Sequence, residues 1–132
     1  MANILVVDDE VEVCEAVRRV LERAGYAVTV ASNAAAGLDA VARLPPDVVV
    51  TDIIMPRVHG VALIKILRER YPRIRVIAIS GGGSFGPLAY KPDAISTHAY
   101  LAAVREAGAE EILTKPFDLT DLIAAVRRLL PN

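Results

Sequence analysis

The sequence lacks the features of a disulfide-bonded, secreted or membrane-embedded chain. It has one cysteine, Cys14, so no intramolecular disulfide can form. We therefore expect a reducing, cytoplasmic location and interpret Cys14 as a small core residue. Although 54% of the residues are hydrophobic, they fall in runs far shorter than a membrane span. The first residues also lack the basic and apolar segments of a secretory signal, so neither export nor membrane insertion is expected.

The chain also lacks an excess of charge of either sign. Fifteen basic residues and 16 acidic residues give a formal net charge of −1. No broad positive field is available for phosphate backbones or anionic lipids, so we expect no direct nucleic-acid contact and no membrane partner. A length of 132 residues predicts one domain over residues 1–132.

Short β-branched apolar runs alternate with segments of helical periodicity along the whole chain. The runs typical of buried strands are 4–7, 26–30, 48–51, 76–80 and 111–114. The segments with helical periodicity are 10–24, 33–44, 60–71, 99–107 and 119–130. Glycines at 25 and 108 are expected to end helices, Ser32 or Asn33 to cap the second helix, and Asp118 to cap the last one. This alternation predicts an open α/β fold, with a five-stranded parallel sheet covered by helices on both faces.

Polar residues stand where these predicted strands end. Asp8 and Asp9 follow the first strand, and Asp52 follows the third. Ser80 ends the fourth strand and Lys115 follows the fifth. Because the carboxyl ends of parallel strands meet at one edge of the sheet, where such folds bind ligands, we expect these side chains to lie together.

These residue types are suited to phosphoryl transfer. Three carboxylates at close range repel one another unless a cation compensates, and Mg²⁺ prefers oxygen ligands of this kind. Asp9 and Asp52 are the expected ligands, with Asp8 beside them. A carboxylate can also act as a nucleophile and form an aspartyl phosphate, and Asp52 is the candidate. The Lys115 ammonium and the Ser80 hydroxyl would then neutralise or hydrogen-bond the phosphoryl oxygens.

Four motifs resemble the receiver domain of two-component response regulators, and the resemblance covers the whole chain. They are VVDDE at 6–10, TDIIMPRVHG at 51–60, SG at 80–81 and TKPF at 114–117. The resemblance implies a flavodoxin-like, doubly wound (βα)5 fold with strand order 2-1-3-4-5. It also implies a switching protein that catalyses its own phosphorylation and dephosphorylation, and not a metabolic enzyme.

The resemblance assigns a role to each matching residue. Asp52 becomes the phosphoacceptor, and Ser80 and Lys115 the hydroxyl and the lysine of the phosphoryl site. Mg²⁺ would be held by Asp8, Asp9, Asp52 and the backbone carbonyl of Ile54. The phosphoryl group would come from a histidine kinase or a histidine phosphotransfer protein, and the output would be contact with a downstream protein target. The resemblance also allows a phosphorylation-dependent homodimer.

Two features depart from the usual receiver pattern. Ile112 stands three positions before the lysine, where receivers usually carry an aromatic ring that takes part in switching. The segment 81–93, between the fourth strand and the next helix, is predicted to be an extended loop. Together they suggest that phosphorylation is communicated to partners by an unusual route.

Two other kinds of function fit part of the pattern. One is a pseudo-receiver, or a flavodoxin-like ligand-binding module, that never transfers phosphate. The other is a phosphatase of the haloacid dehalogenase type, which also uses an aspartyl nucleophile. Such a phosphatase requires a second acid two residues after the nucleophile, where this chain has Ile54, so it is disfavoured.

Overall fold

The structure is a computed structural model, and it describes residues 2–53, 60–80, 102, 104–114 and 117–130. The strands are β1 (Asn3–Val7), β2 (Ala27–Ala31), β3 (Val48–Asp52), β4 (Arg75–Ser80) and β5 (Glu111–Thr114). The helices are α1 (Val11–Arg23), α2 (Ala34–Arg43), α3 (Gly60–Arg70), a segment we name α4 (residues 104–107) and α5 (Leu119–Leu129). These bounds agree with the predicted elements to within one or two residues wherever the chain is described.

All five strands are parallel and lie in the order β2-β1-β3-β4-β5. The fold class and the strand order expected from the sequence are therefore confirmed. β1 and β3 are neighbours at the centre of the sheet, and Val7 pairs with Thr51 near their carboxyl ends. The point where strand order reverses lies between these two strands, which is where this class of sheet binds ligands.

The caps predicted for α2 and α4 follow local chemistry, whereas the cap predicted for α5 does not. Of the two predicted caps of α2, Ser32 and Asn33, the structure uses Asn33, whose side chain accepts a hydrogen bond from the Ala36 backbone N–H at 2.7 Å. Gly108 adopts a φ of +124° directly after α4, which glycine does without the strain of a side chain. Asp118 occupies the cap position of α5, but the prediction that it caps the helix was wrong because its side chain makes no capping hydrogen bond. The Asp118 side chain is exposed, and water can satisfy it instead.

The core has one apolar layer on each face of the sheet. On one face, Leu5, Val49, Val76 and Ala78 pack with residues of α2, α3 and α4. On the other face, strand residues pack against α1 and α5, and Cys14 is part of that layer with 4% of its surface exposed. The interpretation of Cys14 as a core residue is confirmed. The two layers fix every strand from both sides, so the carboxyl edge of the sheet is a rigid base.

None of the helices in the described ranges is long and apolar enough to span a bilayer. The predicted loop at 81–93 lies outside the residues that the structure describes, as do Ile54 and Lys115.

Candidate functional site

The structure brings three carboxylates together at the carboxyl edge of the sheet. Asp8, Asp9 and Asp52 each offer an oxygen, and these oxygens lie within 4.8 Å of one another. Asp8 is 2% exposed and Asp52 is 4% exposed, whereas Asp9 is open to solvent. The cluster thus has two buried acids and one that faces the surrounding water.

The strand register explains why Asp8 and Asp52 meet. Val7 of β1 pairs with Thr51 of β3, and an aspartate follows each of them in sequence. On the other side of β3, Asp52 pairs with Ile79 of β4. Side chains alternate across a strand, so Asp52 belongs to the sheet face that packs against α1 and α5. Backbone pairing of β3 with β1 and β4 therefore holds Asp52 level with Asp8 at the carboxyl edge of the sheet.

Hydrogen bonds around the acids add to this support. The Glu10 backbone N–H donates to Asp8 Oδ1 at 2.9 Å, and the Cys14 thiol donates to the Asp8 carbonyl oxygen at 3.4 Å. The buried Thr51 hydroxyl donates to the Asp52 carbonyl oxygen at 3.0 Å. Sequence reasoning missed all three contacts. Only the Asp8 turn had a sequence signal, because aspartate often accepts from the backbone two residues ahead.

The donor set fits a hard divalent cation. Buried charges persist when they are paired or coordinate a metal, and three neighbouring carboxylates concentrate negative charge in little space. All three groups offer oxygen, which is the ligand type that Mg²⁺ and Ca²⁺ prefer. Magnesium commonly uses one or two protein carboxylates and completes its shell with water or phosphate oxygens. The exposed position of Asp9 leaves room for such additional ligands.

Cys14 lies beneath this cluster and does not add a nucleophile to it. Burial raises the pKa of its thiol, and the negative charge of Asp8 raises it further. The thiol is therefore neutral at neutral pH, and the neutral form is a poor nucleophile and metal ligand. Its contribution is to fill the core and to donate to the Asp8 carbonyl.

The remaining predicted site residues divide into two groups. Ser80 ends β4 one position beyond the pairing of Asp52 with Ile79, and it is half-buried and paired with Thr114 of β5. Ile54 and Lys115 lie outside the described residues, so the structure does not place them relative to the acids. Lys115 follows Thr114 directly in the sequence.

Ile112, at the position of the usual aromatic ring, is half-buried in β5. It packs against the core layer on the α2 and α3 face of the sheet. An aliphatic side chain in this setting contributes apolar contact and has no ring or hydroxyl group to exchange between two environments.

A groove of about 950 Å³ lies at the opposite, amino edge of the sheet. It is lined by residues 45–47, 71–75 and 128–130, and it contains none of the acids described above. Its walls are prolines, aliphatic residues, arginines, Tyr71 and a single acid, Asp47, so it has no cluster of carboxylates like the one at the carboxyl edge. We therefore locate the candidate site at the acidic carboxyl edge.

Comparison with known proteins identifies the family of the chain. The family model for the response regulator receiver domain matches residues 4–127. Among curated proteins, the response regulator MprA of Mycobacterium sp. (strain KMS) is 35% identical over 128 residues, which cover 97% of this chain and 50% of MprA. MprA of Mycobacterium leprae (strain TN) has the same identity and the same coverage. The chain thus spans about half the length of these relatives.

Solved structures agree with this family match. A response regulator receiver domain from Clostridium thermocellum has a TM-score of 0.79 and 31% identity, with 98% of this chain and 94% of that chain covered. The chemotaxis protein CheY4 of Vibrio cholerae has a TM-score of 0.82 over 98% of this chain and 99% of its own. Its identity of 24% supports the fold alone.

Proposed function

Since this chain belongs to the response regulator receiver domain family, and is thus a phosphoacceptor signalling domain of two-component systems, we propose that Asp52 is its phosphoacceptor. The observation that carries the proposal is the position of Asp52 within 4.8 Å of two other acids, at the sheet edge where this fold binds ligands. We also propose that residues 1–132 act as one receiver unit.

In the proposed reaction, a carboxylate oxygen of Asp52 attacks the phosphorus of a phosphorylated donor. A new P–O bond to Asp52 forms as the donor's bond to phosphorus breaks, and the leaving group keeps that electron pair. The product is an aspartyl phosphate. Asp52 is the best-placed of the three acids for this step because it ends the central strand and is fixed by pairing on both sides.

Asp8, Asp9 and Asp52, with the Ile54 backbone carbonyl, are the residues that would hold Mg²⁺. When bound, the ion would supply positive charge to offset the negative oxygens of the phosphoryl group. The protein's own part is to gather the acids on rigid strand ends. Asp8 is held by its bond from the Glu10 N–H, so its carboxylate is oriented before any ligand arrives.

Ser80 and Lys115 are proposed to bind the phosphoryl oxygens once Asp52 is phosphorylated. Phosphorylation adds negative charge and three acceptor oxygens at Asp52, which gives a hydroxyl and an ammonium new charge-assisted partners. Ser80 already sits at the end of β4 beside Thr114. Because Ile112 lacks the usual ring, we propose that β5 and the 81–93 segment carry the change to the partner surface.

The partners follow from the same chemistry. A histidine kinase or a histidine phosphotransfer protein would supply the phosphoryl group, and a downstream protein target would receive the signal. A phosphorylation-dependent homodimer is a further proposed form of output. We propose a cytoplasmic location, based on the single cysteine and the need to meet such a kinase. The nearly balanced charge supports signalling through protein contact rather than direct nucleic-acid binding.

The test is phosphorylation by acetyl phosphate, followed by intact-protein mass spectrometry. We expect a gain of one phosphoryl group in the presence of Mg²⁺ and no gain with a chelator. Asp52→Ala should abolish the gain. Asp39→Ala is the matched control, because Asp39 lies on α2 and its side chain is 75% exposed. Unchanged phosphorylation of Asp52→Ala would refute the assignment of the acceptor.

The same assay separates the two rival functions. A pseudo-receiver or a flavodoxin-like binder would gain no mass under any condition. A phosphatase would instead turn over a phosphate ester, with steady release of inorganic phosphate. No observation in the structure favours either rival over the receiver.

A further inference from the structure

Glu110, the residue before β5, makes an unusual double contact with Val76 of β4. Its backbone N–H donates to the Val76 carbonyl oxygen at 2.9 Å. Its carboxylate Oε1 accepts from the Val76 N–H at 2.8 Å. One residue thus satisfies both polar groups of a Val76 backbone whose side chain is fully buried.

This contact replaces strand pairing at the place where β5 has not yet begun. In a parallel sheet the next acceptor for the Val76 N–H would be a backbone carbonyl of the neighbouring strand. Here the chain instead turns at Gly108, and β5 starts only at Glu111. The Glu110 carboxylate supplies the missing acceptor, so a side-chain hydrogen bond takes the place of the backbone hydrogen bond that would otherwise begin the β4–β5 pairing.

Two arginines hold the Glu110 carboxylate in this position. Its Oε2 lies 3.3 Å from Arg68 of α3 and 3.4 Å from Arg75 at the start of β4. Arg68 also donates to the carbonyl oxygens of Pro72 and Ile74, which joins the end of α3 to β4. The Arg68 side chain occupies the space that a Cβ at Gly108 would need. We name the contacts of the Glu110 carboxylate with Val76, Arg68 and Arg75 the clamp. The turn at Gly108, the clamp and Arg68 therefore depend on one another.

The clamp sets the register of β5 against β4, and this pairing extends as far as Ser80 at the candidate site. β5 has four residues and pairs with β4 alone among the strands of the sheet, so few bonds fix its position. From Ile77 paired with Glu111, the ladder runs to Ser80 paired with Thr114. A slip of one residue would move Thr114 by about 3.3 Å and reverse which face each β5 side chain meets.

We propose that Glu110 is a positioning residue for the phosphoryl site, because its carboxylate fixes the level at which β5 presents Thr114, the residue before Lys115 in the sequence, beside Ser80. The proposal rests on the proposed function of this edge as a phosphoacceptor site. It assigns Glu110 no contact with substrate. The effect passes through the backbone of β5.

Three variants test the proposal. Glu110→Ala removes the acceptor for the Val76 N–H. Glu110→Gln keeps one oxygen acceptor for that N–H, but it loses the negative charge and replaces the oxygen that faces Arg68 and Arg75 by an NH2 group. Glu111→Ala is the matched control, because it removes the ion pair between Glu111, the residue next to Glu110, and Arg128 of α5 without removing any contact of Glu110. Each variant is assayed well below its own melting temperature, so that all of them are folded.

The measured quantities are the maximal rate of phosphorylation by acetyl phosphate and the donor concentration at half-maximal rate. Misplacement of a reacting group by about 1 Å can cost about 100-fold in rate, so Glu110→Ala should lower the maximal rate by about 10-fold or more. The half-maximal donor concentration should change little. Glu110→Gln should restore most of the rate, and Glu111→Ala should stay close to the wild type.

Other outcomes overturn the proposal. If Glu110→Ala were phosphorylated at the wild-type rate, Glu110 would have only a stabilising role. The same would follow if Glu111→Ala lowered the maximal rate as much as Glu110→Ala does. Failure of the wild-type protein itself to be phosphorylated would refute the proposed function and the positioning role with it. The register claim would then be judged separately, by nuclear Overhauser contacts between Ser80 and Thr114. Those contacts should weaken in Glu110→Ala and persist in Glu110→Gln.

Discussion

Replacement of Asp52 by Asn should stabilise the metal-free protein although it removes the proposed phosphoacceptor. Asp52 and Asp8 are both buried, and their nearest oxygens are within 4.8 Å of each other and of an Asp9 oxygen. Two unit charges at about 4.8 Å repel by about 3.5 kcal/mol at an effective dielectric constant of about 20. Neighbouring groups and solvent offset part of this repulsion. We therefore expect a net increase of about 1–3 kcal/mol in the free energy of unfolding.

Magnesium should stabilise the two proteins to different extents. A ligand that binds only the folded state stabilises it by RT ln(1 + [L]/Kd), which is about 1.4 kcal/mol at a concentration about tenfold above Kd. The wild type should gain stability of this order in magnesium chloride. Asp52→Asn should gain much less, because it lacks one of the three acidic ligands.

The assay is thermal unfolding followed by circular dichroism, with and without magnesium chloride. For a chain of this length, 1 kcal/mol corresponds to a shift of about 3–4 °C in melting temperature. Sodium chloride at equal ionic strength controls for screening, and Asp39→Asn, on an exposed face of α2, controls for removal of a remote charge. A lower melting temperature for metal-free Asp52→Asn, or an equal magnesium shift in both proteins, would refute the electrostatic reasoning.

Three further predictions concern positions outside the acidic cluster. Gly108→Ala should cost about 1–3 kcal/mol more than Gly25→Ala in urea unfolding, because both have positive φ but only Gly108 has a neighbouring arginine side chain in the way. The hydrogen bond from Arg128 lowers the pKa of Glu111, so its stabilisation is present above the unfolded pKa, near 4.5, and is lost as pH falls through the folded pKa. Wild-type melting temperature should thus fall more steeply on acidification than that of Glu111→Gln, and parallel curves would contradict this. Because burial raises the pKa of the Cys14 thiol, iodoacetamide should modify it slowly in the native protein and rapidly in urea; rapid native labelling would contradict the assignment.

Most of the fold could be predicted because its signals are local. β-branched runs, helical periodicity and the glycine at position 108 act through neighbouring residues, and the five strands appeared where those signals placed them. The cap of α5 was the local prediction that did not hold. Asp118 stands at the right position, but a side chain exposed to water has no need to bond to the helix. Local chemistry indicates that a cap is available and does not decide whether it is used.

The grouping of the acids was also predictable, since parallel strands bring their carboxyl ends to one edge. What the sequence could not provide was the spacing within 4.8 Å, the burial of Asp8 and Asp52 against the exposure of Asp9, or the thiol and hydroxyl bonds that support the strand ends. These depend on how two layers of helices close over the sheet, which is a property of packing and not of any one segment.

By itself, then, the sequence determined the α/β class and the identity of the acids that meet at the carboxyl edge, and the strand order followed from its family resemblance. Tertiary structure alone decided how β5 is held. Glu110 and Val76 are 34 positions apart, and no periodicity or turn signal links them. Their contact exists because α3, β4 and the turn at Gly108 converge on one carboxylate. Local sequence preferences act over a few neighbouring residues, whereas the register of an edge strand is fixed by contacts between distant parts of the chain.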